Sequence, residues 1–240
     1  LFLVTGQTGS GKTTTMAALI DLINRTRTEH ILTVEDPIEY VFPNEKSLFH
    51  QRQKGEDTKS FANALKGALR QDPDIILVGE MRDLETIGLA CSAAETGHLV
   101  FGTLHTNSAP GTVDRMLDVF PPEQQPQMRS QLANSIVCIC SQNLVKKIGG
   151  GRCAAHEIML NTPAIANLIR ESKNSQLYSQ IQMGAKLGMQ TMEMSLASLY
   201  KQGKITWVDA MAKAVKPDEL EALIGPEARE TKVKAKAKAH

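Results

Sequence analysis

Three short stretches carry residue types whose spacing suits phosphate chemistry. The first is Gly6-Gln7-Thr8-Gly9-Ser10-Gly11-Lys12-Thr13, which meets every fixed position of the pattern GxxxxGK[ST]. Glycines let a backbone wrap an anion with its N–H groups pointing inward, and a helix starting there adds its positive end. Lys12 is placed to reach β- and γ-phosphates, and the Thr13 hydroxyl to ligate magnesium. The residues assigned to the nucleotide are therefore Gly6, Thr8, Gly9, Ser10, Gly11, Lys12, Thr13 and Thr14.

The second stretch is Glu35-Asp36-Pro37-Ile38-Glu39, with three carboxylates in five residues behind an apolar run. Glu39 is the candidate to polarise an attacking water. Glu35 and Asp36 are candidates for outer-shell magnesium or for loop positioning. Further on, Ile75-Ile76-Leu77-Val78-Gly79-Glu80 is an apolar run that ends in a carboxylate, an arrangement that holds magnesium through water. Gly79-Glu80 stands where an Asp-Glu pair is more usual. Glu80 is the metal-water candidate, and Arg82 is close enough to pair with it. The third stretch is 95–106, with His98 before a strand and His105 after it. His105 can donate to a γ-phosphate and report its loss. His98 lies too far along the chain to share that site unless the strand is short or a second subunit intervenes.

These groups need a scaffold that brings strand ends together. Residues 1–4, 31–35, 75–78 and 99–103 read as strands, and 47–53 as a weaker one. Segment 14–25 repeats Met16, Leu19, Ile20 and Ile23 at helical spacing, and 60–70, 84–96 and 123–135 read as helices. Such β–α alternation predicts a mostly parallel sheet with helices on both faces, and reactive groups at the C-terminal ends of its strands. Segments 144–147 and 152–159 flank three glycines and predict a late hairpin. From residue 162 the pattern turns helical, over 162–171, 174–183, 191–202 and 206–215. The expected organisation is a sheet core over 1–160, a small all-helical part over 161–225 and a disordered Lys/Ala-rich tail over 226–240.

Composition narrows the class. Charged residues are 22% and apolar residues 42% of 240, as in folded soluble domains, and no apolar run is long enough to cross a bilayer. Residues 226–240 carry five cations against two carboxylates, so the remainder is slightly acidic, about −2. With aromatics at 4%, that argues against a nucleic-acid translocase, which needs a basic channel with stacking rings. Cys91, Cys138, Cys140 and Cys153 form no CxxC pair, so zinc and a disulfide framework are not expected, and a reducing cytoplasm fits.

Together the motifs resemble the secretion ATPase superfamily, the hexameric motors of type IV pili and of type II and IV secretion. Segment 31–40 is similar to its Asp box, 75–80 to its atypical Walker B and 95–106 to its His box. Within it, Gly79-Glu80-Met81-Arg82-Asp83, Ala155-His156-Glu157-Ile158-Met159 and Gly188-Met189-Gln190-Thr191 resemble the pilus retraction ATPases of twitching motility. The resemblance implies a RecA-like ATPase core using ATP and Mg2+, with Glu39 as catalytic glutamate, Glu80 at magnesium, and His98 and His105 as the His-box pair. It implies a homohexamer at the inner face of the bacterial inner membrane, partnered by a membrane-embedded platform protein. Pilus extension and secretion ATPases are the alternative, but they usually carry a tetracysteine insertion. The retraction motif AIRNLIRE is met by 164–171 except that Ala166 replaces an arginine. The family also has a sensory-like domain ahead of the loop, which is expected to be missing here, leaving Arg70 and Arg82 as weak candidates for contacts between subunits.

Overall fold

Central strands are apolar on both sides because helices cover both faces of their sheet. The computed structural model describes residues 1–225. Its strands are β1 (Phe2–Thr5), β2 (His30–Glu35), β3 (Leu48–Gln53), β4 (Ile75–Val78), β5 (Leu99–Leu104), β6 (Cys138–Lys146) and β7 (Arg152–Leu160). Among the described residues these seven form one sheet in the order β3-β2-β4-β5-β1-β6-β7. All neighbours run parallel except β6 and β7, which are antiparallel.

Side-chain alternation divides the sheet between two cores. Val4, Ile31, Ile75, Leu77 and Phe101 meet Met16 and Ile20 of α1 (Lys12–Thr26) on one face. Leu3, Leu32, Val34, Ile76, Val78 and Val100 point to the other. There they meet Leu65 of α2 (Phe61–Ala68), Ile87 of α3 (Leu84–Glu95), Val113 of α4 (Ala109–Asp118) and Leu132 of α5 (Gln125–Ser135). Burying each such side chain contributes about 1.5–3 kcal/mol.

No strand follows β7 among the described residues. Helices α6 (Pro163–Arg170) and α7 (Leu177–Met183) insert Ile165, Ile169, Leu177 and Ile181 into the sheet's own core. The last helices, α8 (Met192–Lys201), α9 (Trp207–Met211) and α10 (Pro217–Ile224), close a separate core with Val145 and Ala155 of the β6–β7 pair.

Several elements differ from expectation. Helix α4 was not foreseen, although Ser108 caps it by accepting from Gly111 N at 3.2 Å and Pro110 sits in its first turn. Strand β6 starts at Cys138, earlier than the predicted hairpin, because it also pairs with β1. The single helix expected over 206–215 is α9 alone, ending at Met211. The backbone N–H groups of Val215 and Lys216 then donate to the buried Glu193 at 2.9 and 2.8 Å before α10 starts at Pro217. The expected disorder of 226–240 lies outside the described residues.

Candidate active site

The loop between β1 and α1 is shaped by left-handed glycines and by a close neighbour. Gly9 and Gly11 have φ of 77° and 85°, which strain any residue with a Cβ. Gly6 lies so close to β6 that a Cβ would sit 2.3 Å from Gln142 O, and one on Gly11 would sit 2.8 Å from Gln142 Nε2. Lys12 is 9% exposed and donates to Gly6 O at 2.8 Å and Gln7 O at 3.0 Å. Burial lowers its pKa, and the nearby Glu80 charge opposes that.

At the end of β2 the three carboxylates separate by partner. Glu35 is 8% exposed and accepts from Thr33 Oγ1 at 2.7 Å and Gln51 Nε2 at 3.1 Å. Asp36 pairs with Lys54 at 2.7 Å. Glu39 instead faces the Thr13 hydroxyl at 3.4 Å, beside a Thr14–Tyr40 contact of 3.2 Å. The chain thus occupies Glu35 and Asp36 with neighbouring side chains, and leaves Glu39 facing Thr13.

The end of β4 explains its unusual glycine. A Cβ on Gly79 would lie 3.0 Å from Val34 O and 3.1 Å from Glu35 Cα, so the β2 backbone leaves little room for an aspartate. Gly79 N donates to Val34 O at 2.7 Å, and Gly79 O accepts from Thr103 Oγ1 at 2.5 Å. Glu80 follows, with its Oε1 meeting Arg82 Nε and lying 2.7 Å from His105 Nε2. These groups line one cleft of about 320 Å³ with Thr8, Gly9, Lys12, Thr13, Glu39 and Tyr40.

Not every expected residue reaches the cleft. His98 precedes β5 while His105 follows it, so the length of that strand separates them. His98 Nδ1 lies 3.0 Å from Ala93 O and 3.1 Å from Thr96 Oγ1, at the C-terminal end of α3. Within one chain, His98 closes a helix end and does not join His105. Arg70 does not line the cleft, whereas Arg82 does. Gln142 is a residue the sequence reading missed. It lies over 130 positions beyond the loop and is signalled only by the pairing of β6 with β1.

An oxygen set built from one hydroxyl and carboxylates suits magnesium, a hard cation that keeps waters and leans on substrate phosphates. Among the described residues no group of three or more His, Cys, Asp or Glu side chains is arranged to hold a metal unaided. Thr13 and Glu80, which both line the cleft, are the residues that would hold such an ion.

Comparison with known proteins bears on the family and the fold. Residues 1–150 match the Type II/IV secretion system protein family. The chain is 60% identical over 218 residues to the type IV pilus retractation ATPase PilT of Pseudomonas aeruginosa, covering 91% of this chain and 63% of that protein. It is 59% identical over 206 residues to a twitching motility protein of Neisseria gonorrhoeae, covering 85% and 55%. A crystal structure of the pilus retraction motor PilT with bound ADP superposes with a TM-score of 0.86 at 58% identity, covering 91% of this chain and 62% of that one. The Legionella pneumophila ATPase DotB gives 0.80 at 29% identity, covering 88% and 58%. The chain therefore spans 55–63% of the length of these curated relatives. With its family match, these identities and a RecA-like P-loop fold, the chain belongs to the type II/IV secretion ATPase family.

Proposed function

We propose that this chain is the ATP-hydrolysing core of a type IV pilus retraction motor, the engine of twitching motility. The observation that carries the reading is the convergence of Lys12, Thr13, Glu39, Glu80 and His105 on one cleft at the C-terminal ends of the parallel strands. Loop amides and Lys12 hold the phosphates, and Thr13 would hold a Mg2+ ion, which when bound would supply neutralisation of their charge. Glu39 orients the attacking water and accepts its proton. Glu80 would hold such an ion through water, and it positions His105. His105 donates to the γ-phosphate and is released from it after cleavage. His98 has no place in this chemistry within one chain.

Retraction is supported over extension or secretion by the identity to retraction motors and by the absence of a CxxC pair from the sequence. We also infer a ring assembly, a homohexamer in the whole protein, working against an inner-membrane platform protein from the cytoplasmic side. No helix among the described residues is long and apolar enough to cross a membrane, so such contact would run through partners. Lys12→Ala tests the nucleotide site. It is expected to abolish ADP and ATP binding measured by fluorescent-analogue titration, and binding at the wild-type level would refute the loop assignment.

A further inference from the structure

Gln142 is 3% exposed, and each of its side-chain polar atoms has a partner near the phosphate-binding loop. Its Nε2 donates to Ser10 O at 2.7 Å. Its Oε1 accepts from Thr15 Oγ1 at 2.7 Å and lies 3.2 Å from His156 Nε2. Burial lowers the His156 pKa, which favours the neutral ring as donor in that contact. The backbone of His156 is anchored in turn, its N–H donating to Ser195 Oγ at 3.0 Å and its carbonyl accepting from Gln190 Nε2 at 3.0 Å.

A trans peptide points its carbonyl and the next N–H in opposite directions. Fastening Ser10 O to Gln142 therefore turns the Gly11 N–H away from β6. Gln142 does not line the cleft, whereas Gly9, Lys12 and Thr13 do. The two loop glycines nearest Gln142, Gly6 and Gly11, are also those whose Cβ atoms it would exclude. One residue of β6 thus sets both the closeness of the loop and the direction of one of its amides. We propose that Gln142 is a positioning residue for phosphate binding, acting through Ser10 O to aim the Gly11 amide at the anion. The proposal rests on the nucleotide-binding reading above.

The test is titration calorimetry of the full chain with MgADP and with inorganic pyrophosphate, comparing wild type, Lys12→Ala, Gln142→Met and Gln142→Asn. Gln142→Met keeps the side-chain length and loses the hydrogen bonds to Ser10, Thr15 and His156. Gln142→Asn stays neutral and polar but is one methylene too short to reach Ser10 O, and it decides the matter if the methionine variant does not fold. Affinity is expected to weaken about tenfold for both ligands in both variants, the size of one lost hydrogen bond. Pyrophosphate has neither base nor sugar, so a shared loss locates the effect at the phosphates. A purely structural role would lower the thermal transition and leave affinity alone. A folded Gln142 variant that binds both ligands within about twofold of wild type overturns the proposal. If wild type binds and Lys12→Ala does not while the Gln142 variants match wild type, only the positioning role falls. If wild type binds neither ligand, the nucleotide reading falls with it.

Discussion

Glu157 is 1% exposed on β7, where its carboxylate accepts from Ala109 N at 2.6 Å and from the backbone of Met192. It therefore satisfies amides at the first turns of both α4 and α8. Burial is the main cause that raises its pKa to about 7. The Glu193 charge adds to the rise, and the two amides and Lys216 oppose it. Its charge also acts on the Cys140 thiol of the neighbouring strand. Because the folded value lies above the unfolded one, the native state binds this proton more tightly. That stabilisation is complete below the unfolded pKa and disappears as pH rises through 7. Against Glu157→Gln, wild type is expected to lose about 2–3 kcal/mol between pH 5 and pH 8, read by urea unfolding. A difference that does not vary with pH would contradict this. At this scale the sequence made Glu39, Glu80 and His105 legible, because each follows an apolar run near a glycine-rich loop. It could not make Gln142 or Glu157 legible as supports, since their partners lie tens of residues away or more. The separation of His98 from His105 was also legible, because six strand residues lie between them.

Elements place these residues by capping and by burial. Ser108 caps the helix that follows the His105 loop, so Ser108→Ala is expected to cost about 1 kcal/mol in thermal or urea unfolding. It should also lower turnover through His105 rather than through nucleotide affinity. Ile76 is fully buried in β4, the strand that ends at Glu80. Ile76→Ala should cost about 2–5 kcal/mol by the same measurement, well above the cap. Near-equal losses would mean that β4 is not central to the core. The parallel strands were readable because two-sided burial writes continuous apolar runs such as 75–78. Helix α4 was not, because proline and glycine in its first turn hide its period. Strand β6 was read too short because its first residues, Cys138-Ile139-Cys140-Ser141, pair with β1, a contact no local pattern encodes.

At the scale of the whole molecule, the phosphate-binding loop is held from several directions. Strand β1 delivers it, Gln142 of β6 supports it, and the ends of β2, β4 and β5 bring Glu39, Glu80 and His105 to it. The last core, built by α8, α9 and α10 on the β6–β7 pair, adjoins that support through His156. Helix α8 is thereby linked to the nucleotide loop through Ser195, His156 and Gln142. Arg82 lines the cleft, pairs with Glu80 and is largely exposed. The parallel architecture and the site at its strand ends were both legible in the sequence. The sharing of the sheet's core by α6 and α7 was not, because amphipathic helices do not name the surface they cover. The central claim is most directly tested by steady-state Mg-ATP hydrolysis over a range of protein concentrations, with Glu39→Gln beside wild type. The account predicts turnover that rises more than linearly with protein and is lost in the variant while nucleotide binding persists. Equal turnover in wild type and Glu39→Gln would contradict it.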